Sequence, residues 1–401
     1  MLLFQHIFVT DGIRERTMKL NKIYSAILLS TLPLSAVQAA GLDRSGQSIS
    51  AFLQPGNYAE AGISVLDAEV KSKQLNADDM AESYYFANAA IKVQATDKIS
   101  LGLIYDQPYG ADSNYQAVGP LSIFSQGNES TSVEVKTHNI TALIGYQPTE
   151  NWNFYAGPVW QTVEADISLR GLGYGASPTD PTKRGLSGYN IHIEQEEAFG
   201  WLAGFAYQIP EIALKAAVTY RSEIDHKAKS VETFSSPRGV ATLLTSDVHA
   251  VTPQSVNLDL QTGVAANTIA FANVRWVHWD QFAVTPEYLK NASGNNLIDY
   301  SDDQWSANVG VGRKFNNKWS GSTSVGYDSG AGNPVTTLGP TEGYWNVGLG
   351  AQYSPAENYF IQGGVKYFWL GDATAKAGKN ELGDFEDNHA LGYGLKIGYR
   401  F

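Results

Sequence analysis

Three cations stand inside stretches that otherwise alternate between apolar and small or polar residues: Arg221 in "AVTYRSEI", Arg275 in "VRWVHWDQF" and Lys366 in "IQGGVKYF". A cation sequestered in such surroundings can hold a carboxylate through charge-assisted hydrogen bonds, arginine as a planar fork and lysine as a point charge. The competing partners are acids of the chain itself, such as Glu194, Glu223 or Asp259. Catalytic chemistry has less to work with. There is no cysteine, so thiolate nucleophiles, thiolate metal sites and disulfides are excluded. Seven histidines occur, none at the His-x-x-x-His or His-Glu-x-x-His spacing of a zinc site, and no Gly-x-Ser-x-Gly elbow is present. Ser113 in "GADSN" lacks a histidine at a readable spacing. His192 beside Glu194, Glu196 and Glu197 reads as an acidic strand end. These residue types predict binding, not catalysis, with no metal and no cofactor.

The elements that must position the three cations repeat along the chain. From residue 58 to the end, fourteen segments alternate with period two, the pattern of strands with two unlike faces. On the sixth, Phe199, Trp201, Ala203, Phe205 and Tyr207 oppose Gly200, Leu202, Gly204 and Ala206. On the twelfth, Trp345, Val347, Leu349 and Tyr353 oppose Asn346, Gly348, Gly350 and Gln352. Six connectors are tight, at 97–98, 149–151, 210–211, 266–267, 316–318 and 355–358. Seven are long, around 73–83, 107–128, 171–189, 232–253, 283–302, 330–343 and 372–388, and long alternates with tight throughout. A soluble sandwich has no reason to keep its long loops at one end. A transmembrane antiparallel up-and-down β-barrel does, with short periplasmic turns and long outer loops. The expectation is therefore an all-β, fourteen-stranded barrel in the bacterial outer membrane. Parity then turns Arg221, Arg275 and Lys366 toward the lumen.

The N-terminus agrees with that compartment. Residues 1–17 read as an upstream extension. Residues 18–39, "MKLNKIYSAILLSTLPLSAVQA", carry a basic start, an apolar core and a small-residue cleavage site, which together read as a signal peptide. Its removal takes away Arg14, Arg16, Lys19, Lys22, Asp11 and Glu15, leaving 24 basic against 38 acidic residues, a formal charge of −14. Such a balance argues against nucleic acid as a partner and suits an outer surface bridged to lipopolysaccharide by divalent cations. Residues 40–57 form a short segment before the barrel at 58–401. With Ile49, Phe52 and Leu53 as its apolar spots, it is either a small plug in the lumen or a periplasmic tail.

Several stretches, in order and spanning the mature chain, resemble the FadL-type family of outer-membrane transport proteins: "FLQPGNYAE", "AVTYRSEI", "TPQSVNL", "VRWVHWDQF", "GYWNVGLGAQYSPAENYFIQGGVKYF" and the tail "NHALGYGLKIGYRF". The resemblance implies a monomeric barrel plugged by an N-terminal hatch, admitting hydrophobic small molecules, long-chain fatty acids first, by passive diffusion. It also implies a kink in the third strand that opens the wall sideways. The matching residues are Pro108, Tyr109 and Gly110. Proline has no amide for the ladder and glycine tolerates a bend, though Pro108 could equally end the strand. Tyr399 and Phe401 resemble the terminal aromatic signal read by the barrel-insertion machinery. The chain departs from long-hatch members in lacking both their length and an Asn-Pro-Ala motif. An aromatic-hydrocarbon channel of the same family is the nearest alternative; a general porin, an adhesin and a lipid hydrolase stand further off. Tyr115, Phe124, Tyr174 and Phe234 in the long loops are candidates for an outer capture patch.

Overall fold

The computed structural model describes residues 42–119, 121–175, 185–236 and 239–401; the expected upstream extension and signal peptide, and residues 40–41, lie outside them. Fourteen antiparallel strands run through these residues. The first six are Tyr58–Glu69, Tyr84–Gln94, Ile99–Asp106 continued by Gly110–Asn114, Ser132–Tyr146, Trp152–Ser168 and Tyr189–Ile209. The next two are interrupted, Leu214–Arg221 with Ile224–Ser236 and Gly239–Thr252 with Ser255–Ala265. Thr268–Val277, Gln304–Lys314, Trp319–Asp328, Tyr344–Ala356, Tyr359–Leu370 and His389–Arg400 complete the set. The first strand pairs with the last, from Tyr58 opposite Arg400 to Glu69 opposite His389, so the sheet closes on itself.

The closed ladder is what permits so little continuous hydrophobicity. Each strand's amides are paired by its neighbours, and only the outward half of the side chains must be apolar. Leu101, Leu103, Ile144, Val309, Leu349 and Leu395 are accordingly exposed on the outer face, while Ser100, Asn139, Gln161, Asn257 and Gln362 are buried within. Aromatics mark both rims. Tyr146, Trp152, Trp319 and Tyr399 stand at the tight-turn end, and Tyr85, Phe199, Trp305, Trp345 and Trp369 toward the loops. Trp345 and Tyr353 on one strand are roughly 27 Å apart along it, close to the height of a lipid-facing apolar band.

Two parts of the outer end differ from the sequence expectation. The stretch 232–253 is not a loop but a long hairpin, Ile224–Ser236 against Gly239–Thr252, whose first arm also pairs with the sixth strand. It carries no lipid-facing aromatics because it stands beyond the bilayer, where backbone pairing alone keeps it extended. The long loops, for their part, fold into a cap with its own core, containing Tyr115, Phe124, Tyr174, Trp279, Phe282 and Leu338. Tyr115 and Phe124 stack at 4.1 Å, and the Tyr115 hydroxyl donates to the Thr337 carbonyl at 2.6 Å. Tyr115, Phe124 and Tyr174 are thus buried inside the cap and do not form an exposed capture surface; Phe234 packs at its edge. Within the cap, the short helix Glu287–Ser293 has its first amides capped from the hairpin. The Tyr288 and Leu289 N–H groups each donate to the Glu232 carboxylate at 2.9 Å, the charge a helix N-terminus favours.

Candidate functional site

Residues 42–57 lie inside the barrel. The segment has almost no regular structure, so its carbonyls must find donors elsewhere, and inward-facing wall residues supply them. Lys92 Nζ donates to the Gln54 carbonyl at 2.6 Å, Lys215 Nζ to that of Leu53 at 2.7 Å and Asn257 Nδ2 to that of Gly46 at 2.8 Å. Arg221 Nη2 donates to the Gln47 carbonyl. Ile49, Phe52 and Leu53 are buried against Leu143, Tyr155, Val159 and Leu202 on the wall. Phe52 meets Tyr155 edge-on at 5.9 Å. Its ring lies where a Cβ on Gly102 or Gly145 would stand, so those two glycines make room for the plug.

All three cations nominated by parity face inward and are buried, but they do different things. Arg275 is committed to the hatch. Its Nε donates to Asp43 Oδ2 at 2.7 Å, Nη1 to Asn257 Oδ1 at 2.7 Å and Nη2 to Gln47 Oε1 at 3.1 Å. Its acid partner is therefore Asp43 of the plug, not an acid of the wall. Arg221 is committed to the same segment. Lys366 lies apart, on the opposite wall between Gly348 and Gly392 of the neighbouring strands. It has no carboxylate partner among the described residues. Arg275 is thus fully engaged while the hatch is seated, whereas Arg221 Nη1 is buried without a hydrogen-bond partner among the described residues.

The wall is interrupted beside the hatch. The second and third strands pair only from Ala89–Tyr105 to Gln94–Ser100, and the third resumes at Gly110 paired to the fourth alone. Above the gap, an isolated bridge joins Ala81 to Ser113. The window between is edged by residues 83–88 and 106–111. Its backbone groups are met from elsewhere. Arg44 N donates to the Pro108 carbonyl at 2.7 Å, Gly110 N to that of Leu42 at 2.9 Å, and Ala87 N to Gln107 Oε1 at 2.9 Å. Tyr109 turns inward, its amide donating to Thr137 Oγ1 at 2.9 Å and its ring edge-on to Trp279 at 5.6 Å. Pro108 thus sits in the break itself, and the hatch fills the pairing that the third strand gives up.

Two cavities lie above the hatch. The outer one, about 440 Å³, is bounded by cap residues including Leu169, Tyr174, Leu289, Leu297, Thr336 and Leu338. The inner one, about 20 Å³, shares Thr336 and Leu338 with it and reaches down to Leu42, Arg44 and Ala111 beside the window. Its volume holds about one water, so the path is narrow as it stands. Its lining is mainly apolar, with Arg44, Glu342, Tyr300, Thr336 and Thr341 as the polar exceptions. Burial pulls the Arg44 guanidinium below its ordinary value and pushes the Glu342 carboxyl up to about 7, against the Gly332 amide that donates to it at 3.0 Å. At the outer rim, His278, Asp280 and Asp303 bring ligand atoms within 4.8 Å of one another, a grouping that chain spacing does not reveal. They are engaged with each other and with Trp276 Nε1, which donates to Asp303 Oδ2 at 2.9 Å. Asp43 and Arg44 are the site residues that sequence reasoning missed.

A closed barrel, an internal plug and a wall break beside the plug is a specific combination, and the family model for "Outer membrane protein transport protein (OMPP1/FadL/TodX)" matches residues 41–401. The chain belongs to that family. Among solved structures, a Pseudomonas aeruginosa FadL homologue superposes with a TM-score of 0.69 at 14% identity, over 88% of this chain and 92% of that one. The Pseudomonas putida toluene transporter TodX gives 0.65 at 15% identity, over 90% and 95%. The Ralstonia pickettii toluene transporter TbuX gives 0.62 at 14%, over 93% and 99%. No curated protein sequence matches the chain. As a member of this family the protein is an outer-membrane channel for hydrophobic compounds and not an enzyme.

Two predictions follow from the buried charges. Asp43→Ala strands Arg275 in the lumen, a loss of about 3–5 kcal/mol for breaking a buried pair. The hatch should loosen, seen as raised ion conductance in planar bilayers, and Asp43→Ala with Arg275→Met should restore most of the seal. Glu342 binds its proton more tightly folded than unfolded, so its contribution to stability falls as pH climbs from about 4.5 through about 7. Glu342→Gln should therefore stabilise the barrel against urea at pH 8 and change it little at pH 4.

Proposed function

We propose that this channel takes up long-chain fatty acids by passive diffusion and releases them sideways into the bilayer at Gln107–Tyr109. The observation that carries the reading is the position of the inner cavity. Ala111 and Arg44 line it, both stand at the wall window, and the lumen below is filled by the seated hatch. The shortest way out of that cavity passes the wall. The lining suits an amphipathic guest once the cavity widens beyond its present single-water volume, with Leu42, Val133, Ile298, Val335 and Leu338 for an acyl chain and Arg44 for one carboxylate.

One observation favours a second reading, a monoaromatic hydrocarbon of the kind that TodX and TbuX are named for. Tyr300 lines the inner cavity and belongs to a cluster of rings, edge-on to Trp279 at 5.1 Å and tilted against Phe282 at 5.5 Å. Such a cluster accepts a planar guest as readily as an alkyl one. In either case the channel works as a monomer. Its acidic balance suits an outer surface bridged to lipopolysaccharide by divalent cations, and Tyr399 and exposed Phe401 suit the insertion signal.

Uptake by vesicles tests the exit. Pro108→Val returns an amide to the third strand and should re-pair it with the second. Uptake of oleate should fall several-fold while the barrel keeps its heat-shifted mobility on gels. Unchanged uptake would remove the sideways exit. Mass spectrometry of the purified barrel tests the guest: recovered acyl chains support the first reading and recovered monoaromatics the second.

A further inference from the structure

The window between the second and third strands is not empty. Tyr84 and Phe86 face inward from its edge, with ring centroids 5.9 Å apart, while Tyr85 between them faces lipid. The Tyr84 hydroxyl reaches across the gap to Gly110, lying 2.5 Å from where a Cβ on that residue would stand. Gly110 therefore serves a close approach: any side chain there would push the Tyr84 ring out of the opening. Behind the ring stands Arg44 of the hatch, fully buried, its guanidinium carbon 5.4 Å from the ring centroid. Arg44 is also fixed at its backbone to the Pro108 carbonyl. One hatch residue thus touches the strand break, the ring that fills it and the inner cavity.

We infer that Tyr84 is the shutter of this window and Arg44 its latch, and that a ligand bearing a carboxylate opens it by drawing the guanidinium off the ring. The inference rests on the sideways-exit reading. The physical argument is one of competition. The guanidinium faces the ring's quadrupole and donates from Nη1 to the Asp43 carbonyl at 3.3 Å, whereas a carboxylate offers it two charge-assisted hydrogen bonds, stronger than a neutral one in a site shielded from water. Arg44 lines the cavity from which that carboxylate would arrive. With the guanidinium turned to the head group, nothing behind the ring fixes it, and the acyl chain has the gap beside it. A neutral guest of the same length gains no such exchange and finds the shutter latched. Specificity for charged heads then lies in the hatch, not in the wall arginines, which hold the hatch in place.

The test compares uptake of oleate and oleyl alcohol, which share a chain and differ in the head, by the full-length protein in liposomes. The native channel should pass oleate faster. Tyr84→Ala should raise both rates at least about threefold and close the difference, whereas Tyr84→Phe should behave as the native channel. Arg44→Met should abolish the preference for oleate. Tyr84→Leu, bulky but without a ring face, replaces Tyr84→Ala if the truncated variant fails to assemble. The latch is overturned if folded Tyr84→Ala or Tyr84→Leu is no faster than native, or if Arg44→Met keeps the native ratio of oleate to alcohol. A native channel that passes neither probe defeats the transport reading itself, whereas native passage with unaltered variants defeats the latch alone.

Discussion

In hydrocarbon, an unpaired backbone amide has no water to turn to, and that constraint organises this molecule. Closure of the first strand on the last satisfies the ladder all round. Neighbouring strands part in mid-wall around Pro108, and there the hatch supplies what the second strand does not. Arg44 N and Gly110 N complete the pairing with Pro108 and Leu42, and the Gln107 side chain takes the amide of Ala87. The plug is in this sense part of the wall. In this barrel the hatch both fills the lumen and makes an interrupted strand tolerable.

The same dependence runs the other way. An irregular segment of some sixteen residues could not stay buried on its own, because its carbonyls would go unpaired. Inward lysines, arginines and asparagines of the wall satisfy them, and the Asp43–Arg275 pair fixes where along the lumen the segment sits. A buried ion pair is weak evidence for stability and better understood as setting register. That role suits a plug that must place Arg44 against one particular strand edge.

Much of this architecture is legible in the chain. The alternation that sends Leu349 outward and Gln352 inward is a local property, and so is the parity that buries Arg221, Arg275 and Lys366. What the chain does not reveal is partnership. Arg275 lies 232 positions from Asp43, and no periodicity links a Gly/Ser-rich N-terminal segment to a wall residue so distant. A faint signal was present, since Asp43 and Arg44 are the only charges in residues 40–57, and a charged doublet in a segment destined for a lumen must find partners. The hairpin over 232–253 was obscured because strands beyond the bilayer lose the aromatic outer face that identifies the others. The loop aromatics misled for the opposite reason: long loops bury their own rings when enough of them meet.

The central claim is that the hatch stays seated while a ligand passes, because the exit is in the wall. The chain has no cysteine, so cysteines can be introduced cleanly at Gln47 and Ser255, whose side-chain tips lie 3.4 Å apart between hatch and wall, and joined by a short linker that carries its own disulfide, since a glutamine reaches further than the cysteine replacing it. Oleate uptake is then measured with the linker's disulfide oxidised and again after reduction. The account predicts equal rates in the two states. Uptake that stops on oxidation and returns on reduction would show that the ligand travels through the space the hatch occupies, and would contradict it.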